Sequence, residues 1–133
     1  MKVLSIDPGV TTGWSVVGKE KVYESGTLRL STSGALGFRF FLRAVVNQHS
    51  PDAVVIERGP SHERQSNNLM LRQDGILNEE FPDAQWMTPN EWKPTPRGKS
   101  KVPKGTTQHE QDSIRMGREF IHINRRKENH GTS

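Results

Sequence analysis

The sequence contains no cysteine, which removes disulfide frameworks, thiolate zinc sites and cysteine nucleophiles at once. It has no long hydrophobic run either. Nothing approaches the roughly 20 consecutive apolar residues of a membrane span, and the opening MKVLSIDPG carries too short an apolar stretch for a signal peptide. Hydrophobic residues are scarce, at 31%, which is lean for a globular domain yet above the level of a disordered chain. A chain of 133 residues has room for one small core. These shortages predict a single domain over residues 1–124 with a polar, frayed tail over 125–133, no membrane partner, and work in a reducing cytoplasm. A core this lean also favours a dimer that buries further apolar surface.

Acidic residues are outnumbered, leaving a net charge of +4, which favours a polyanionic partner, nucleic acid ahead of an acidic membrane surface. Along the chain, residues 2–7 read as a strand ended by the turn signal Asp7-Pro8-Gly9, and residues 13–17 and 21–30 follow as two more strands. Three strands this close together predict an antiparallel meander. Residues 35–48 carry Leu36, Phe40 and Val45, with Phe41, Leu42 and Val46, at near-helical spacing, which predicts an amphipathic helix. A buried strand over 53–57, a helix over 63–81 stopped by Pro82, a short strand over 84–87 and a helical turn from Pro89 to Trp92 complete the middle of the chain. Trp86 and Trp92 read as packing residues, and His49, His62, His122 and His130 as solvated ones. From Lys93 to Thr107 there are five basic residues, no acidic ones, three prolines and two glycines, the composition of a basic loop. Thr107 with Glu110 fits a capping box that starts a last helix running to about Ile123. The order of three strands, helix, strand, helix, strand, helix predicts an α/β ribonuclease H-like fold. Its mixed five-stranded sheet joins a three-stranded antiparallel meander to two parallel strands, flanked by helices.

Asp7 ends the first strand and Glu57 the fourth. If those strands are parallel neighbours, both carboxylates emerge at one sheet edge. His109 and Asp112 are three apart on the last helix and share a face. Three carboxylates and an imidazole brought together repel unless a cation neutralises them, and oxygen donors suit Mg²⁺ or Mn²⁺. Two such ions about 4 Å apart can clamp the attacking and leaving oxygens of a phosphodiester. Each residue also has an ordinary reading: Asp7 as a turn residue, Glu57 as a strand-end carboxylate, His109 as a solvated helix residue, and Asp112 as a partner of Arg115. The basic loop reads either as a linker or as a DNA contact through Lys93, Arg97, Lys99, Lys101 and Lys104; five like charges favour the contact.

Together these residues resemble the RuvC-type Holliday junction resolvases. LSIDPGVTTGWSVV is similar to the family's first motif, AVVIERG to its second, and NNLMLRQDGIL to its glycine-bearing helix. MTPNEWK with the basic loop resembles the stretch that brings lysines to the junction, and HEQDSI the closing motif. The resemblance implies that Asp7, Glu57, His109 and Asp112 form the metal-binding and catalytic set for Mg²⁺ or Mn²⁺, with two ions in each active site. It implies an endonuclease that resolves four-way DNA junctions by paired hydrolysis, acting as a homodimer in a bacterial cell or phage-infected host, with the helix over 63–80 at the dimer contact. This sequence departs from the family in three ways. Gly59, Pro60 and Ser61 follow Glu57 where relatives often carry an aromatic wedge, His109 stands where many have Asp, and the chain is shorter. The first and last favour the alternative of a broader fork or flap endonuclease, and the second predicts relatively better activity with Mn²⁺ or a general-base role for His109. A DNA-binding module without catalysis and an actin-like ATPase domain are the remaining readings. The clustered carboxylates speak against the first; the second needs two such domains around a nucleotide, so no nucleotide cofactor is expected.

Overall fold

A computed structural model describes residues 1–58, 68–92 and 102–130, apart from the side chains of residues 31–33, 68, 69, 129 and 130. Strands β1 (Val3–Asp7), β2 (Thr11–Val17) and β3 (Val22–Arg29) precede helix α1 (Leu30–His49); β4 (Ala53–Glu57) and α2 (Asn68–Glu80) follow. The chain then forms β5 (Gln85–Met87), the single turn α3 (Pro89–Trp92) and the long α4 (Gln108–His130). The strands lie in one sheet in the order β3-β2-β1-β4-β5. β1 pairs antiparallel with β2, and β2 with β3, which is the expected meander. β1–β4 and β4–β5 are parallel, so the mixed sheet anticipated from the element order is present.

Both faces of this sheet are covered, which is why β1 buries Val3 and Ser5 on one face and Leu4 and Ile6 on the other rather than alternating buried with exposed. Leu4, Ile6, Trp14, Val16 and Ile56 face α1 and α2, where Leu30, Phe38, Leu42, Val45, Ile76 and Leu77 close one core. Val3, Val17, Val55 and Met87 form a second core with Ile114, Met116, Phe120 and Ile121 of α4 and with Trp92. Trp14 packs edge-on against Phe41 at 5.1 Å. Its indole lies over Gly26 of the paired strand, where a Cβ would come within 3.0 Å of the ring nitrogen. Arg39 reaches Glu79 and Glu80, and Arg43 reaches Glu80, tying α1 to α2. The Arg43 hydrogen bond is the main cause holding the Glu80 carboxyl below its ordinary range.

Three expectations need correction. Leu36 and Phe40 are exposed, and the buried stripe of α1 is Phe38, Leu42 and Val45. Both stripes have helical spacing, and only the sheet decides between them. The polar segment after Ile123 continues α4 through Arg125, Arg126 and Lys127 to His130; Arg125, Arg126, Lys127 and Glu128 are good helix formers, and neither proline nor glycine interrupts them. His49 is not solvated: its ring lies 2.7 Å from a Glu24 carboxylate oxygen and is mostly buried. Other expectations hold: α1 becomes regular only after a break at Gly34, where φ is 68°, and α2 ends just before Pro82. Trp92 is buried, and Trp86 packs on the first core. Among the described residues no helix is long and apolar enough to cross a membrane.

Candidate active site

The parallel register Val3↔Ala53 to Ile6↔Ile56, carried one residue further, sets Asp7 beside Glu57 at the carboxyl ends of two adjacent strands. The two side chains share the α4 face, because Val3 and Val55, each an even number of residues away, line the core beneath that helix. Asp7 keeps 16% of its side chain exposed, and Glu57 is 8% exposed. A buried carboxylate at the end of an apolar strand is costly unless something answers its charge.

α4 lies unusually close to this face because the residues beneath it are small. A Cβ on Gly117 would meet Val17 at 2.6 Å and Ser5 at 3.1 Å, and one on Gly13 would fall 2.2 Å from the His109 carbonyl oxygen. Gly13 is the register partner of Asp7, so the first turn of α4 rests on the strand residue that faces the first carboxylate. The helix starts with the anticipated capping box. The Glu110 amide donates to the Thr107 hydroxyl (3.2 Å), and Glu110 Oε1 accepts from the Thr107 amide (3.3 Å). Glu110 Oε2 accepts a further hydrogen bond, at 2.7 Å, from the Ser25 hydroxyl of β3.

Neither the glycines nor the Ser25 contact was anticipated. The available signal was small residues inside a strand and a helix, which mark close backbone approach. Glu110→Ala removes the Ser25 tether and the carboxylate half of the capping box, leaving the residue-110 amide on the Thr107 hydroxyl, and should lower stability by about 1–2 kcal/mol. Ser25→Ala should cost less, because the cap survives. Urea unfolding of the two variants checks the order.

The structure brings Asp7 and His109 together: Nδ1 of the half-exposed imidazole lies 3.7 Å from Asp7 Oδ2. Asp112 lies one turn further along α4, where its Oδ1 accepts a 2.8 Å hydrogen bond from the Gln108 amide rather than from Arg115. Among the described residues, no three or more His, Asp or Glu side chains stand close enough to hold a metal ion as they are placed. Lys104 is exposed in the turn before α4. The other expected DNA contacts, Lys93, Arg97, Lys99 and Lys101, lie outside the described residues, as do Gly59, Pro60, Ser61 and His62.

Strand order, mixed pairing and the helices on both faces are those of the ribonuclease H-like fold, and two RuvC structures share this fold over nearly the whole length of the chain. A structure of T. thermophilus RuvC in complex with Holliday junction substrate superposes with a TM-score of 0.71 at 15% identity, covering 95% of this chain and 96% of that one. A second Thermus thermophilus RuvC structure gives 0.71 at 17% identity with the same coverage. No family model and no curated protein matches the sequence.

Proposed function

We propose that the protein is a divalent-metal-dependent, structure-selective endodeoxyribonuclease that resolves four-way DNA junctions. The observation that carries this reading is the placement of Asp7 beside Glu57 at the ends of adjacent parallel strands, with the His109 imidazole of α4 3.7 Å from Asp7. The whole-length likeness to a RuvC solved with a Holliday junction supports it.

The donor set fits hard cations: Asp7 and the nearly buried Glu57 at one sheet edge, once joined by Asp112 from α4, would suit Mg²⁺ or Mn²⁺. Asp7, Glu57, Asp112 and His109 would hold the ions, with Asp112 leaving Gln108 to do so. Bound there, one or two ions would acidify the attacking water and neutralise charge on the leaving oxygen. The protein's own part is to hold the carboxylates in place against their mutual repulsion, to aim the His109 imidazole, and to present cationic side chains to phosphate. Lys104, beside the helix start, contributes to that last task together with Lys93, Arg97, Lys99 and Lys101. Paired cutting of a symmetric junction needs two active sites, hence a homodimer. Exposed Leu36 and Phe40 on α1 and Leu71 on α2 supply apolar surface for it.

The test is cleavage of a labelled immobile four-way junction beside matched duplex, forks and flaps, with Mg²⁺, Mn²⁺ or EDTA. Paired metal-dependent nicks near the branch, absent from duplex, are expected. Equal cutting of forks and flaps would instead establish the broader branched-DNA nuclease, and tight binding without cutting in either metal would refute catalysis. A second expectation concerns the metal. Imidazole is a poorer Mg²⁺ ligand than carboxylate, so His109→Asp should raise the Mg²⁺ rate relative to the Mn²⁺ rate. An unchanged ratio would remove His109 from the metal shell.

A further inference from the structure

One polar side chain in the core has no role in the chemistry above. Gln73 of α2 is fully buried on the side of the sheet away from Asp7, on the helix face that also carries Ile76 and Leu77. A leucine or methionine would pack there without the penalty of burying a primary amide. The amide nitrogen donates a 2.6 Å hydrogen bond to the hydroxyl of Thr12, itself fully buried. That hydroxyl in turn donates to the carbonyl of Gly9 at 3.1 Å. Gly9 closes the Asp7-Pro8-Gly9 turn, and Pro8 within it has no backbone N–H to help secure the segment. From the other direction, the Leu30 amide donates to the Val10 carbonyl at 2.9 Å. Among the described residues Gln73 Oε1 has no hydrogen-bond partner, so the amide stands in the core with an uncompensated acceptor. The hydrogen bond that its nitrogen makes leads to the Asp7-Pro8-Gly9 turn.

We infer that Gln73 is a positioning residue: acting through Thr12 from the opposite face of the sheet, it fixes the Asp7-Pro8-Gly9 turn and thereby the direction of the Asp7 carboxylate beside Glu57. Its catalytic consequence rests on the nuclease reading; its structural consequence does not. The relay also joins α2 to the active site, so a disturbance of that helix reaches Asp7 through two hydrogen bonds rather than through general loosening of the core.

The test uses the full chain and three variants. Thr12→Val removes the hydroxyl while keeping the shape, Gln73→Leu removes the amide, and Thr12→Ser restores the hydroxyl. Hydrogen exchange is measured over residues 7–12 and over the central sheet, together with single-turnover cleavage and binding of a labelled four-way junction. In Thr12→Val and Gln73→Leu, turn exchange should rise about tenfold with the sheet interior unchanged, the signature of a local opening. Turnover should fall about 10- to 100-fold, as for a misplaced reacting group, while junction affinity stays within about twofold. Thr12→Ser should behave as the parent in every readout.

Unchanged turn exchange in folded Thr12→Val would overturn the inference, as would exchange that rises equally throughout the sheet. If Gln73→Leu does not fold, Thr12→Val decides alone. If the parent protein cuts no DNA, the nuclease reading fails, while the exchange measurement still decides whether the relay holds the turn.

Discussion

Asp7→Asn should abolish junction cleavage, with turnover reduced on the order of 1000-fold or more, while junction binding persists or tightens. The substitution keeps the size of the side chain and leaves the backbone pairing with Gly13 untouched. What it removes is one negative charge from an edge that also holds Glu57, and with it an anionic donor to any cation there. Binding should not weaken, because that charge repels phosphate in the metal-free complex. Electrophoretic mobility of the junction complex in EDTA, beside cleavage in Mg²⁺ and Mn²⁺, separates the two effects. Cutting by Asp7→Asn at a tenth or more of the parent rate would contradict the metal-site model.

Gly13→Ala is expected to be the most damaging substitution by a single methyl group. The new Cβ would lie 2.2 Å from the His109 carbonyl oxygen and 2.3 Å from its carbon. Both are backbone atoms, so no side-chain rotation relieves the contact, and α4 must lift from β2 at its first turn. Overpacking of this kind costs about 1–3 kcal/mol. The larger effect should be on rate, because His109 and Asp112 move with the helix, and a displacement of about 1 Å can cost about 100-fold. Gly75 is the matched control. It lies within α2 with nothing within 4 Å of an added Cβ, so Gly75→Ala should stabilise the fold by up to about 1 kcal/mol. A Gly13→Ala protein of parental activity would show that the approach of α4 to β2 does not set the site.

The residues differ in how much of this was legible beforehand. β1 to β3 could be read because short polar breaks punctuate them, and the Thr107–Glu110 cap because its two side chains are three residues apart. The α1 stripe was not legible, since Leu36 and Phe40 have the same spacing as Phe38 and Leu42. A 3.6-residue period defines two faces and does not say which of them meets the sheet. The end of α4 was missed for a related reason. Arg125 to His130 hold no apolar residue to signal burial, yet they continue a helix already nucleated and anchored by Ile114 to Ile121. For the candidate site, Asp7, Glu57, His109 and Asp112 stand out by residue type and place. The parts that hold them do not. Ser25–Glu110 and Thr12–Gln73 are side-chain pairs distant in sequence, and Gly13 matters through an atom it lacks.

The order of these parts along the chain bears on when the molecule becomes active. Ser25 and Glu110 meet across 85 positions, and His109 and Asp112 sit on the last helix. A nascent chain with everything through Met87 outside the ribosome therefore carries Asp7 and Glu57 without His109 or Asp112. The same chain leaves Val3, Val17 and Val55 without the Ile114, Met116 and Phe120 that cover them. Docking of α4 is thus the step that completes the second core and, on the proposed function, the step that arms the site. On the proposed function, an incompletely synthesised molecule is a silent one, and the cell is spared a half-made nuclease.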